Sequence, residues 1–185
     1  MVLLGSEYKI LRKGERAPDF SLRATDAKTY SLADFKDKKS LLIIFMCNHC
    51  PYVIPKIKEI RKIAETYKDL AVIGINSNES ENYPEDSYEK MKEYMEEWEI
   101  PNFIYLHDET QEIAKAYGAV CTPDPFLFKN EHGIFTLSYH GRLDSQHGKE
   151  QSNHEMQIII KELLERGYVS NEEKQSMGCS IKWKS

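Results

Sequence analysis

The chain carries a short apolar run, Leu41-Leu-Ile-Ile-Phe-Met46, that ends on a cysteine, and a second cysteine follows in Cys47-Asn-His-Cys50. A run this brief and this uniformly apolar reads as a strand buried on both faces of a parallel sheet. Beyond it, Val53, Ile57, Ile60, Ile63 and Ala64 recur at helical spacing with Lys, Glu and Arg between them, so the pattern predicts a helix over 48–67. Strand, turn and helix place the two cysteines at the turn. The first sulfur then sits at a helix N-terminus, where unpaired amide groups favour a thiolate. Only the thiolate attacks a disulfide or a peroxide, and a second thiol one turn away can resolve the mixed disulfide that results.

The remaining pattern continues the alternation. Residues 70–75 read as a second buried strand and 76–84 as a polar loop. Residues 85–99 form an amphipathic helix with Tyr88, Met91, Tyr94, Met95 and Trp98 on one face, a core stripe rather than a cofactor box. A brief strand is expected over 103–106 and a helix over 110–117, stopped by Gly118. Residues 126–128 and 134–139 flank Asn130-Glu-His-Gly133 as a hairpin, with Gly133 supplying the turn. A last helix covers 154–166, and the segment around residues 17–22, with a turn near Asp26, suggests an N-terminal hairpin. These elements predict an α/β fold: a central mixed sheet with helices on both faces, an N-terminal hairpin extension and a C-terminal tail. The 185 residues suit a single domain over 1–185, with 168–185 a tail packed on it.

Charge and cysteine usage narrow the function. Acidic residues outnumber basic ones, 30 to 25, which offers no global attraction to nucleic acid. Four apolar residues precede Gly5, too few for a signal-peptide core, and no run is long enough to span a bilayer, so neither membrane nor export is expected. The expected compartment is the cytoplasm, where disulfides are transient and a close cysteine pair points to redox chemistry or metal binding.

On these residues the chain resembles the thioredoxin superfamily, and within it the redoxin branch that contains thioredoxin-like reductases and peroxiredoxins. Gly14-Glu-Arg-Ala-Pro-Asp-Phe-Ser-Leu22 looks like the redoxin N-terminal signature, and Ser31-Leu-Ala-Asp-Phe35 like the segment that follows it. Pro55 matches the proline that kinks the active-site helix, and Thr122-Pro123 the cis-proline segment that lies beside the reactive sulfur. The resemblance implies a thioredoxin-like fold and a thiol-disulfide oxidoreductase that needs no cofactor. Its partners would be protein or small-molecule disulfides and a reducing thiol system. Cys47 would be the attacking thiol and Cys50 the resolving one. His49 occupies the place of the histidine in disulfide-isomerase-type motifs, and its imidazolium would lower the pKa of Cys47.

Departures from the pattern open alternatives. Thioredoxin's buried aspartate is replaced by Leu41, which leaves Asp108 as one candidate proton acceptor, although a loop or helix-capping aspartate is the plainer reading. His107, His132, His140, His147 and His154 are read as solvated. A thiol-dependent peroxidase is the main alternative, although Ile44 and Ser40 stand where peroxiredoxins carry threonine or serine and proline. Arg142 could imitate their activating arginine, with a surface arginine the plainer reading. A metal-binding or metal-transfer module built on Cys47, Cys50 and a histidine is a further alternative, short of the two ligand pairs of a structural zinc site. Cys121 and Cys179 are surplus to a two-cysteine mechanism. They are either buried thiols acting as small apolar residues or auxiliary redox groups, reached if Ile181 and Trp183 dock the tail.

Overall fold

In the computed structural model, which describes residues 3–150 and 153–184, the apolar run is an interior strand of the larger of two sheets. The strands are β1 (Leu3–Gly5), β2 (Ser21–Ala24), β3 (Thr29–Ser31), β4 (Ser40–Phe45), β5 (Leu70–Asn76), β6 (Phe103–His107), β7 (Cys121–Thr122), β8 (Asp124–Glu131), β9 (Ile134–His140) and β10 (Met177–Ser180). The α-helices are α1 (Ile57–Thr66), α2 (Tyr88–Trp98), α3 (Glu112–Tyr117) and α4 (Glu155–Arg166). The large sheet runs in the order β3, β2, β6, β5, β4, β8, β9. Its centre, β4 with β5 and β5 with β6, is parallel, and the remaining pairs are antiparallel. The expected mixed sheet is therefore present.

Alternation along β4 divides the core. Leu42 and Ile44 pack with Ile60 and Ile63 of α1, Met91 and Trp98 of α2, and Ile160 and Leu163 of α4. Leu41, Ile43 and Phe45 face the other way, onto Ala114 and Tyr117 of α3 and onto Phe20 and Phe35. Helices thus cover both faces. Every residue of β4 is buried, and each large side chain so removed from water stabilises the fold by about 1.5–3 kcal/mol. The anticipated N-terminal hairpin is β2 with β3, and β2 docks on β6 to extend the sheet. The β8–β9 hairpin turns at His132 and Gly133, both with positive φ, as a two-residue loop of this hand requires.

Two helix starts differ from expectation. The helix read from residue 48 begins only at Ile57, after a 3-10 turn over Ile54–Lys56, because Pro55 cannot supply the amide hydrogen an α-helical turn needs there. Pro55 therefore introduces the helix and does not kink it. The helix read from residue 85 begins at Tyr88, with Ser87 as N-cap and Pro84–Asp86 in a separate 3-10 turn. The segment read as a tail contributes β10, the middle strand of a second sheet between β1 and β7. Gly178 permits this: a Cβ at that position would fall on the Thr122 carbonyl.

Candidate active site

Cys47 leaves the end of β4 directly, and Cys50 closes the following turn, its carbonyl accepting from Val53 N–H at 2.9 Å and Ile54 N–H at 3.0 Å. Both cysteines are 1% exposed. Burial corrects the expectation that a helix displays the first sulfur and screens the second, since no helix begins at this turn. Cys47 Sγ lies 3.3 Å from Thr122 Oγ1, and Cys50 Sγ lies 3.3 Å from the Thr122 carbonyl oxygen. The Thr122-Pro123 bond is cis. Cys50 Sγ also takes hydrogen bonds from Cys47, from Cys179 and from the Tyr52 amide, the last at 3.4 Å. All four cysteines are thiols.

These donors decide where a thiolate rests. The hydrogen bond from Cys47, followed by those from Cys179 and Tyr52, lowers the Cys50 thiol to about 5 against the opposing effect of burial. Cys47 is raised well above the ordinary thiol value by its hydrogen bond to Cys50, by burial and by Asp86. The two thiols are therefore coupled, and their shared hydrogen bond lets the pair as a whole lose its first proton below the ordinary thiol value. The helix N-terminus expected at Cys47 is displaced to Ile57, so its amides are not at the first sulfur.

His49 is engaged elsewhere. Its Nδ1 lies 3.1 Å from the carboxylate of Asp86, and its ring stacks on Tyr83. Asp86 is fully buried and also accepts from Asn48 N–H at 2.8 Å and from Asn78 Nδ2 at 2.7 Å. The Tyr105 hydroxyl donates to the Asn48 side-chain carbonyl at 2.9 Å, which fixes the turn from below. Sequence reasoning missed Asp86 because it looks like an ordinary first-turn acid. Only the fold brings it to the cysteines. Cys47 Sγ, His49 Nδ1 and an Asp86 oxygen lie within 4.8 Å of one another and could together hold a metal ion.

Asp108 caps α3, accepting from Ala114 N–H at 2.9 Å and from the Ser77 hydroxyl at 2.8 Å, so the capping reading describes it. The Arg142 guanidinium is held by Glu155 at 2.8 and 3.0 Å. His140, read as solvated, is instead fully buried, with Nε2 2.7 Å from Asp124 and its ring stacked on Phe126. His154 also departs from that reading through Nδ1, 2.9 Å from the buried Glu59. Cys121 pairs with Ser180 across the small sheet and Cys179 with Thr122, so strand alternation turns Cys121 away from the face that Thr122 and Cys179 share. Beneath the cysteine turn, Lys56 is buried and its Nζ binds both oxygens of Asp144 at 2.8 Å and the carbonyls of Gln146 and Lys149.

A buried dithiol at the end of a central parallel strand, faced by a threonine and a cis-proline, on a mixed sheet covered on both sides, defines a thioredoxin-like redox protein. The Redoxin family model matches residues 12–155, and the chain belongs to that family. Over its whole length it is similar to an uncharacterized conserved protein from Geobacillus kaustophilus, at 40% identity, with a TM-score of 0.90 and 97% of that chain covered. The pneumococcal exposed lipoprotein thioredoxin of Streptococcus pneumoniae shares the fold at 21% identity, a TM-score of 0.58, and coverage of 80% of this chain and 99% of that one. Peroxiredoxin Q, chloroplastic, of Triticum aestivum is 29% identical over 108 residues, which is 57% of this chain. The match spans less than half, 46%, of that relative's length. Among the described residues no helix is long and apolar enough to cross a membrane.

Proposed function

We propose that the protein is a thiol-disulfide oxidoreductase in which Cys47 bonds the substrate sulfur and Cys50 resolves it. The carrying observation is the hydrogen-bonded pair of thiols beside Thr122, with donors gathered on Cys50. The thiolate passes across the Cys47–Cys50 hydrogen bond as Cys47 attacks, and Cys50 then displaces the reduced product. In the reverse direction Cys50 is the better leaving group, since a sulfur of low pKa departs more readily. In a reducing compartment such as the cytoplasm the pair begins each cycle as thiols. Its partners would be protein or small-molecule disulfides and a reducing thiol system.

Disulfide reduction and hydroperoxide consumption, measured side by side with a thiol donor present, test the reading. Faster disulfide reduction is expected. Peroxide consumption at an equal or higher rate would favour the second reading, a thiol peroxidase, which the peroxiredoxin relatives support. Against it stand Ile44 and Ser40 at the peroxidatic positions and the engagement of Arg142 by Glu155. Inactivity in both assays together with one bound metal per chain would favour a metal module on Cys47, His49 and Asp86.

The shared thiolate has a pH signature. Alkylation of the pair is expected to rise about tenfold per pH unit below the first ionisation and to level off above about 5, where Cys50 has lost its proton. Asp86→Asn removes a negative charge facing Cys47 and is expected to lower this midpoint. His49→Ala removes only the ring that lies 3.1 Å from the Asp86 carboxylate and is expected to move the midpoint less than Asp86→Asn does. Ultraviolet thiolate absorbance reads both. Identical midpoints in the two variants would make His49 and Asp86 structural only.

A further inference from the structure

Cys179 has no part in the two-cysteine cycle, yet it is buried against the pair. Its strand, β10, pairs with β7 in a register that sets Cys179 directly opposite Thr122, the residue whose hydroxyl and carbonyl touch Cys47 and Cys50. Gly178 lets the strands approach at this point, because any side chain there would meet the Thr122 carbonyl. The Cys179 thiol hydrogen-bonds Cys50, and Cys47, Cys50 and Cys179 belong to one core cluster that excludes Cys121. Cys50 therefore has one thiol neighbour on the active-site turn and a second on β10. The compact donor set around Cys47 is completed by His49 and Asp86, not by Cys179. Cys50 thus has two thiol neighbours with which its sulfur can exchange.

We propose that Cys179 is a third redox-active thiol that exchanges with the Cys47–Cys50 disulfide through Cys50; this rests on the dithiol reading above. The Cys179 sulfur attacks the Cys50 sulfur, the Cys50–Cys179 bond forms, and the Cys47–Cys50 bond breaks. The Cys47 sulfur departs with the electron pair and takes the proton that Cys179 releases. Atoms and electrons balance without an external oxidant, because the step isomerises a disulfide already present. Burial and the Cys50 contact hold Cys179 up to about 12, which keeps it a thiol donor to Cys50 in the reduced state and makes the exchange slower than the first attack. The product stores the oxidising equivalents on Cys50 and Cys179 while returning Cys47 as a free nucleophile. Cys121, on the opposite face of β7, takes no part.

The test uses the full chain oxidised with one equivalent of a small dithiol's cyclic disulfide, then quenched with an alkylating agent, digested without reduction and mapped by mass spectrometry. In the wild type the Cys47–Cys50 link is expected to dominate, with Cys50–Cys179 in about 0.1–10% of oxidised molecules, the range of a minor state. Oxidised Cys47→Ser is expected to give Cys50–Cys179 as its main link, and oxidised Cys50→Ser is expected to give no Cys47–Cys179 link. Formation of Cys47–Cys50 in the wild type with Cys179 alkylated throughout, and no Cys50–Cys179 link in Cys47→Ser, would overturn the exchange and leave the dithiol reading intact. Failure of the wild type to form Cys47–Cys50 at all would overturn the dithiol reading itself. A Cys121–Cys179 link in place of Cys50–Cys179 would also overturn the proposal.

Discussion

Replacing Cys47 by serine is expected to remove the fast attack on substrate disulfides, leaving only slow formation of the Cys50–Cys179 link, whereas replacing Cys50 by serine is expected to stop turnover after one event and leave the substrate attached to Cys47. Serine keeps the size of the side chain and the contact with Thr122 but cannot form a disulfide, so the chemistry is lost and the packing is kept. The two variants differ because the roles differ. With Cys50→Ser, Cys47 can still attack, and the mixed disulfide persists for want of a thiolate beside it. With Cys47→Ser, no stable adduct is expected. Intact-mass measurement after exposure to a mixed-disulfide reagent reads the outcome, and an adduct that accumulates on Cys50 in Cys47→Ser but not on Cys47 in Cys50→Ser would reverse the assignment. The test matters here because the donors gather on Cys50, and a reader of the charge alone would name that sulfur the nucleophile.

The largest effect on stability is expected at Lys56. Its ammonium is buried and binds the fully buried Asp144 along with the carbonyls of Gln146 and Lys149, so the loop after β9 is tied to the turn that begins α1. Lys56→Met preserves the volume but leaves Asp144 as an uncompensated buried charge. Removing one partner of such a pair costs about 3–5 kcal/mol, which for a chain of this size lowers Tm by on the order of 10 °C. Lys58 is the internal comparison. It reaches the same loop through Glu150 at a similar distance, 2.6 Å, but both groups are largely exposed. Lys58→Met is expected to leave Tm nearly unchanged, because water screens the pair. Thermal unfolding of the two variants separates the cases, and equal losses would show that burial does not set the difference.

Much of this architecture was legible in the residues. The period-free apolar runs of β4 and β5 can be satisfied only by burial on both faces, which requires a parallel centre with helices on each side. The cysteine spacing after β4 put both thiols on one turn for the same local reason, and Thr122 and Pro123, singled out by the resemblance to redoxins, lie against them. Positive φ at Gly133 follows from the two-residue loop, and that too is local.

What the residues by themselves could not decide was the environment of the sulfurs. Helical spacing after Cys50 predicted an N-terminus that would lower Cys47, but Pro55 delays the α-helix to Ile57, and the contacts of Cys179 and the Tyr52 amide fall on Cys50 instead. Asp86 and His140 carry no sequence mark that separates them from exposed neighbours, yet one lies buried under His49 and the other is sealed against Asp124. A hydrophobic period reports which face of an element is dry, because burial repeats along the element. A charge or a thiol acquires its pKa from single contacts made across the chain, such as Cys179 meeting Cys50, and those exist only once the strands have found their register.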